Sequence, residues 1–141
     1  MWRRRPGPQR RTVTMIDHVS IGVADFARST AFYDAALAPL GVRRLVYVPK
    51  EGDDVNLAGY GTDHPFLWLA EENPTSGMMH IALQAATHAE VDAFYAAALR
   101  AGGTDNGAPG LRPHYHQNYY AAYVLDPEGH NIEAVCHLPA P

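Results

Sequence analysis

Residues able to move protons or hold a ligand are concentrated in a few places along the chain. Glu133 stands between Ile132 and Ala134 in the apolar run 131–137. A carboxylate among such neighbours is costly to bury without a partner. Hydroxyls of cavity-lining tyrosines are one candidate for that partner. A second concentration is "GLRPHYHQNYYAAY", residues 110–123, with two histidines, one arginine and four tyrosines. His114 and His116 exchange protons near neutral pH, which suits general acid–base work, and His116 is the stronger candidate. Arg112 has the planar fork that grips a carboxylate with two hydrogen bonds. Tyr119 and Tyr123 alternate with Ala121 onto one strand face and are placed to line a cavity. The competing reading is an aromatic loop serving a dimer contact. His18 and His80 each sit near the start of a strand-like segment, whereas His64, His88, His130 and His137 receive no role.

The elements that must position these side chains come in two copies. "HVSIGVADFARSTAFYDAALAPLG" (18–41) lies over "HIALQAATHAEVDAFYAAALRAGG" (80–103) at a constant offset of 62 without a gap. His18 falls on His80, Ala31-Phe32-Tyr33 on Ala93-Phe94-Tyr95, and Gly41 on Gly103. Each copy opens with a β-branched, apolar strand (Ile16 to Val23; Met78 to Ala85). An alanine-rich helix with aromatic residues at helical spacing follows, closed by glycine. Strand-like stretches then follow at 43–48, 55–60 and 66–69. In the second half a loop-rich stretch around Gly107, Pro109, Gly110 and Pro113 precedes strands at 119–125 and 131–137. Asp126-Pro127-Glu128-Gly129 reads as a tight turn between those last two. Both halves are thus βαβββ, with a boundary in "EENPTSG", residues 71–77. Alternation places His18 and Ser20 on one face of the first strand and Val19, Ile21 and Val23 on the other. Likewise His80, Ala82 and Gln84 oppose Ile81 and Leu83, and Glu133 shares a face with Asn131 and Val135.

Length and composition set the bounds. The 141 residues suffice for one domain. A single cysteine, Cys136, forms no internal disulfide, which suits a reducing cytoplasm. No apolar run has the length to span a bilayer. Residues 1–14 hold five arginines and no acid, on a chain whose net charge is −4. Pro6, Gly7 and Pro8 forbid a long helix there, so the arm is expected to be a disordered or upstream extension to a domain covering 15–138. That domain divides into modules at about 15–72 and 77–138. No nucleic-acid motif is present, and neither nucleic acid nor membrane is an expected partner.

Two βαβββ modules, the "DHVSIGV" opening, the "AFY" helices and the closing "DPEGHNIE" resemble the vicinal oxygen chelate superfamily. It includes glyoxalase I, extradiol dioxygenases, fosfomycin thiol transferases and bleomycin-binding proteins. The resemblance covers about residues 15–138. It implies an α+β fold, two βαβββ modules forming one cup-shaped mixed sheet with helices packed outside, and a homodimer. It also implies one divalent metal ion, held by His18, His80 and Glu133 with open positions for substrate. Glyoxalase I takes a fourth ligand from the fourth strand. Here that strand reads "PFLWLAEE", and the pseudo-symmetric mate of Glu133 is Trp68, which cannot ligate. Trp68 is instead expected in the wall of the substrate pocket, with Arg112, His114, Tyr123 and Asn131, while His116 and Tyr119 do the chemistry. The resemblance therefore implies a three-ligand metalloenzyme, a dioxygenase or a lyase, isomerase or transferase, acting on a small molecule that chelates through adjacent oxygens. The alternative is a metal-free protein that sequesters a drug-like ligand in the same cup.

Overall fold

The computed structural model describes residues 15–141, so the expectation for the arginine-rich arm lies outside the described residues. The order is β1 (Val19–Gly22), α1 (Phe26–Leu37), β2 (Arg43–Val48), β3 (Leu57–Gly61), β4 (Pro65–Ala70), β5 (His80–Gln84), α2 (His88–Arg100), β6 (Thr104–Leu111), β7 (Tyr120–Leu125) and β8 (Asn131–Cys136). Both helices start at side-chain caps. Asp25 accepts from the N–H of Arg28, and Thr87 from that of Glu90, satisfying donors that have no partner inside the helix. Phe26, Thr30, Phe32, Tyr33 and Leu37 form the buried stripe of α1, and Val91, Phe94 and Ala98 that of α2. A short 3-10 turn carries α1 to Gly41, whose φ of 72° is left-handed. After α2, Gly103 lies so close to Phe32 that a Cβ would come within 2.8 Å of the ring.

The strands form two four-stranded mixed sheets, one per module, in the orders β1-β4-β3-β2 and β5-β8-β7-β6. The α+β class and the twin βαβββ modules stand as expected, but the cup's strands are divided between two sheets. One face of each sheet is apolar and buried: Ile21, Leu67 and Leu69 in the first, Ile132, Ala134 and Cys136 in the second. These pack with both helices into a single core, and α1 rests on α2. The opposite faces carry His18, Ser20 and Trp68 in the first module and His80, Ala82 and Glu133 in the second. β1 and β5 are shorter than their apolar runs, because Ile16 and Met78 are exposed and outside the pairing.

One expectation is corrected. Residues 104–111 are a strand rather than a loop-rich approach to the 110–123 stretch. β6 is an edge strand, where the N–H that Pro109 lacks need not face a neighbour. Its pairing to β7 slips on either side of Gly107, so the breaker residues are absorbed as bulges.

The β7–β8 turn fastens the modules together. Gly129 takes φ 88° and its N–H closes the turn on the Asp126 carbonyl. Within it the Glu128 carboxylate accepts from the backbone N–H of Ala24 and Asp25 and from the Ser29 hydroxyl, at the N-terminus of α1. The Asp126 carboxylate, buried, accepts from the Tyr33 hydroxyl at 2.7 Å and from two backbone N–H groups. His130 is 4% exposed and lies between two acceptors, with Nδ1 2.9 Å from Asp126 Oδ2 and Nε2 2.8 Å from the Thr75 carbonyl oxygen. Both ring nitrogens can donate only in the imidazolium form. Burial opposes that charge, but the Thr75 carbonyl and the Asp126 carboxylate outweigh it and raise the His130 pKa.

Candidate metal centre and pocket

Parallel pairing of β5 with β8 sets Ala82 beside Glu133 and His80 beside Asn131. His80, at the mouth of the strand, turns Nε2 to 2.7 Å from Glu133 Oε2. Glu133 is 1% exposed. Its other oxygen accepts from the hydroxyl of Tyr119, which stands just before β7. This hydroxyl partner is the one the sequence offered as the alternative to a metal. Burial, and then the Glu133 bond, push the Tyr119 pKa up to about 12. Tyr123, paired across the sheet with Glu133, is raised too, first by burial and then by the same carboxylate.

His80, Arg112, Tyr123 and Asn131 line one open pocket of about 390 Å³, together with Asn106, Gly107 and Tyr115. His116 stands next to Tyr119, edge to face with ring centroids 5.1 Å apart. Its Nδ1 donates to the Gln117 carbonyl, and its Nε2 lies 2.8 Å from Nδ1 of His137. The loop bearing it is held by the Arg112 N–H on the Tyr119 carbonyl and by Asn118 at a left-handed φ of 65°. His137, to which the sequence assigned nothing, is thus the partner of His116. Only its place at the end of a strand two residues beyond Val135 hinted at this. His114 packs on Tyr115 at the loop surface instead of reaching the pocket.

His18 and Trp68 lie elsewhere. They line a hollow of about 260 Å³ with Ser20, Leu57 and Ala70, and His18 Nδ1 is 2.6 Å from Asp17. The pairing confirms that Trp68 is the mate of Glu133: Trp68 is registered with Ser20 and Gly59 as Glu133 is with Ala82 and Tyr123. Its indole covers Gly59, where a Cβ would come within 2.9 Å of the ring. Among the described residues no three His, Cys, Asp or Glu side chains are grouped to hold a metal ion. His80 and Glu133 meet, and His18 does not join them within one chain.

The doubled βαβββ architecture is that of a known family. The Glyoxalase/Bleomycin resistance protein/Dioxygenase superfamily matches over residues 15–134, and the chain belongs to it. A glyoxalase/bleomycin resistance protein from Albidiferax ferrireducens T118 is 28% identical, with a TM-score of 0.68 over 89% of this chain and 100% of that one. A glyoxalase-related enzyme from Fulvimarina pelagi is 21% identical, with a TM-score of 0.66 over 88% of each chain. Glyoxalase I from Zea mays is 22% identical, with a TM-score of 0.65 over 86% of this chain. The chain spans 45% of that protein, so the likeness to it is one of fold. No curated protein matches the sequence.

Proposed function

We propose that the protein is a metal-dependent member of this superfamily, of three-ligand type, acting on a small molecule that chelates through adjacent oxygens. The observation carrying this reading is the 2.7 Å approach of His80 Nε2 to the buried Glu133. Two neighbouring ligands bound at about 2.0–2.2 Å sit about 3 Å apart on one ion, so the pair needs little rearrangement to share a divalent metal. His18 is the third donor, on the corresponding face of the other module. Because one chain keeps it apart from the pair, a second copy supplies it, and the working form is a homodimer in which each site draws on both chains.

A bound metal would serve as Lewis acid and template for the substrate oxygens. The chain's own residues do the rest. Tyr119 fixes the Glu133 carboxylate, Tyr123 walls the pocket, and the His116–His137 pair, packed on Tyr119, shares a proton across 2.8 Å and is the group for proton transfer. Dioxygenase, lyase, isomerase and transferase chemistries all fit such a three-ligand site.

One observation favours the metal-free alternative, a small-molecule binding protein. Both Glu133 oxygens already have hydrogen-bond partners, so the carboxylate does not need an ion. Elemental analysis of the full chain decides between the two. Stoichiometric divalent metal, lost in His18→Ala, His80→Ala and Glu133→Ala while circular dichroism is unchanged, supports the metalloenzyme. Its absence from wild type supports the binding protein. Mixing His18→Ala with Glu133→Ala protein tests the shared site: statistical exchange restores about a quarter of the wild-type metal, because each mixed dimer has one intact site. No recovery on mixing rules out a site completed by the second copy.

A further inference from the structure

We propose that the pocket beside His80 takes a substrate carrying a carboxylate, anchored on Arg112; this rests on reading the His80–Glu133 face as the ligand site. The pocket is lined by His80, Asn106, Gly107, Arg112, Tyr115, Tyr123 and Asn131, with no acidic side chain among them. Among the described residues Arg112 forms no salt bridge. Two of the five N–H donors a guanidinium owns are taken up by the carbonyls of Ala108 and Leu111, which leaves three for a ligand.

The strand beside it is cut to fit. At Gly110 a Cβ would come within 3.0 Å of Arg112 Nη1, and at Gly107 within 2.9 Å of Tyr123 and 3.4 Å of Arg112 Nη2. Gly107 also holds φ 149°, a conformation other residues avoid. The two glycines therefore clear the space in which the guanidinium lies back across β6. Its Cζ rests 5.5 Å above the Tyr123 ring, and His80 packs on that same ring at 6.0 Å. Asn131 adds to the set: its oxygen accepts from Asn106, which leaves its amide N–H groups to donate. A fixed, unpaired guanidinium with neutral donors around it matches a planar oxyanion, and its contact with Tyr123 sets the anion beside the His80–Glu133 pair. The substrate is then a small acid with two adjacent oxygens a few bonds from its carboxylate.

Calorimetric titration of the full chain with catechol and with 3,4-dihydroxybenzoate, in cobalt(II)-loaded and metal-free forms, tests this. The two probes differ only in the carboxylate. Wild type should bind the acid about tenfold more tightly or better, the worth of charge-assisted hydrogen bonds. In Arg112→Gln that advantage should shrink to about twofold or less, and Arg112→Lys should keep part of it, with melting curves confirming that both variants fold. Failure to take up cobalt sinks the metal reading alone, since the metal-free titration still reports Arg112. An equal preference in wild type and Arg112→Gln, or no measurable binding of the acid to either form, overturns this proposal.

Discussion

Asp126→Asn is the change that most directly interrogates how the two modules are held. Four hydrogen bonds end on the Asp126 carboxylate, two from backbone N–H groups and one each from Tyr33 and His130. An asparagine oxygen keeps the backbone pair. Its NH2 then faces the Tyr33 hydroxyl, which can rotate to accept, and His130 Nδ1, which accepts only when the ring is neutral. Neutral His130 still donates from Nε2 to the Thr75 carbonyl, so the variant folds. It loses the carboxylate's charge assistance on all four bonds, most of it on the two buried bonds to Tyr33 and His130, a cost of about 2–3 kcal/mol at pH 7. At about 2–4 °C per kcal/mol for a chain of this size, the melting point should fall by about 5–10 °C. The pH dependence carries the sharper signature. In wild type the folded His130 pKa lies above the unfolded value of about 6.5. Its contribution is therefore complete below pH ~6.5 and disappears as pH rises through the folded value. In Asp126→Asn an imidazolium would face an NH2, so the folded pKa drops below ~6.5 and the same group now favours folding as pH rises. Urea unfolding at half-unit steps from pH 5 to 9 reads both slopes, and the other titrating groups cancel in the difference. Parallel stability profiles for the two proteins would refute the imidazolium clasp.

Two further changes probe the open faces. Tyr119→Phe removes the hydroxyl from Glu133 and should weaken metal binding by about 10–100-fold, as loss of a group orienting a ligand does, with stability lowered by about 1–2 kcal/mol; unchanged affinity would separate Tyr119 from the site. Gly59→Ala pushes a methyl into the Trp68 indole and should cost about 1–3 kcal/mol, with a shift in tryptophan emission, whereas a neutral melting point would mean the indole moves aside freely.

What the sequence disclosed depended on how local the cause was. Strand faces follow from alternation alone, so His18 and Ser20 against Ile21 and Val23 were legible, as were both helices with their closing glycines. The gapless repeat gave the two modules, and the mate of Glu133 could be placed at Trp68 before any register was known. β6 escaped because Gly107, Pro109 and Gly110 are strand breakers everywhere except at a bulged edge. His130 escaped because one of its two acceptors, the Thr75 carbonyl, lies in the segment joining the modules, 55 residues away. The relation of His18 to His80 was not legible either. Periodicity tells which way a side chain points from its sheet, but not how two sheets are set against each other.

The clasp at the β7–β8 turn also has a consequence in time. Its bonds to the first module join residues 93–104 positions apart, from Tyr33–Asp126 to Ala24–Glu128. On a translating ribosome, α1 is made while its Glu128 partner and the acceptor for Tyr33 are still unsynthesised. At roughly 5–20 residues per second, that interval is about 5–20 s. Through it the first module carries the Ala24 and Asp25 N–H groups without their acceptor, and a core face awaiting its cover. The nascent half-domain is thus the stage most open to chaperones, proteases and wrong partners, and the β7–β8 turn ends that exposure.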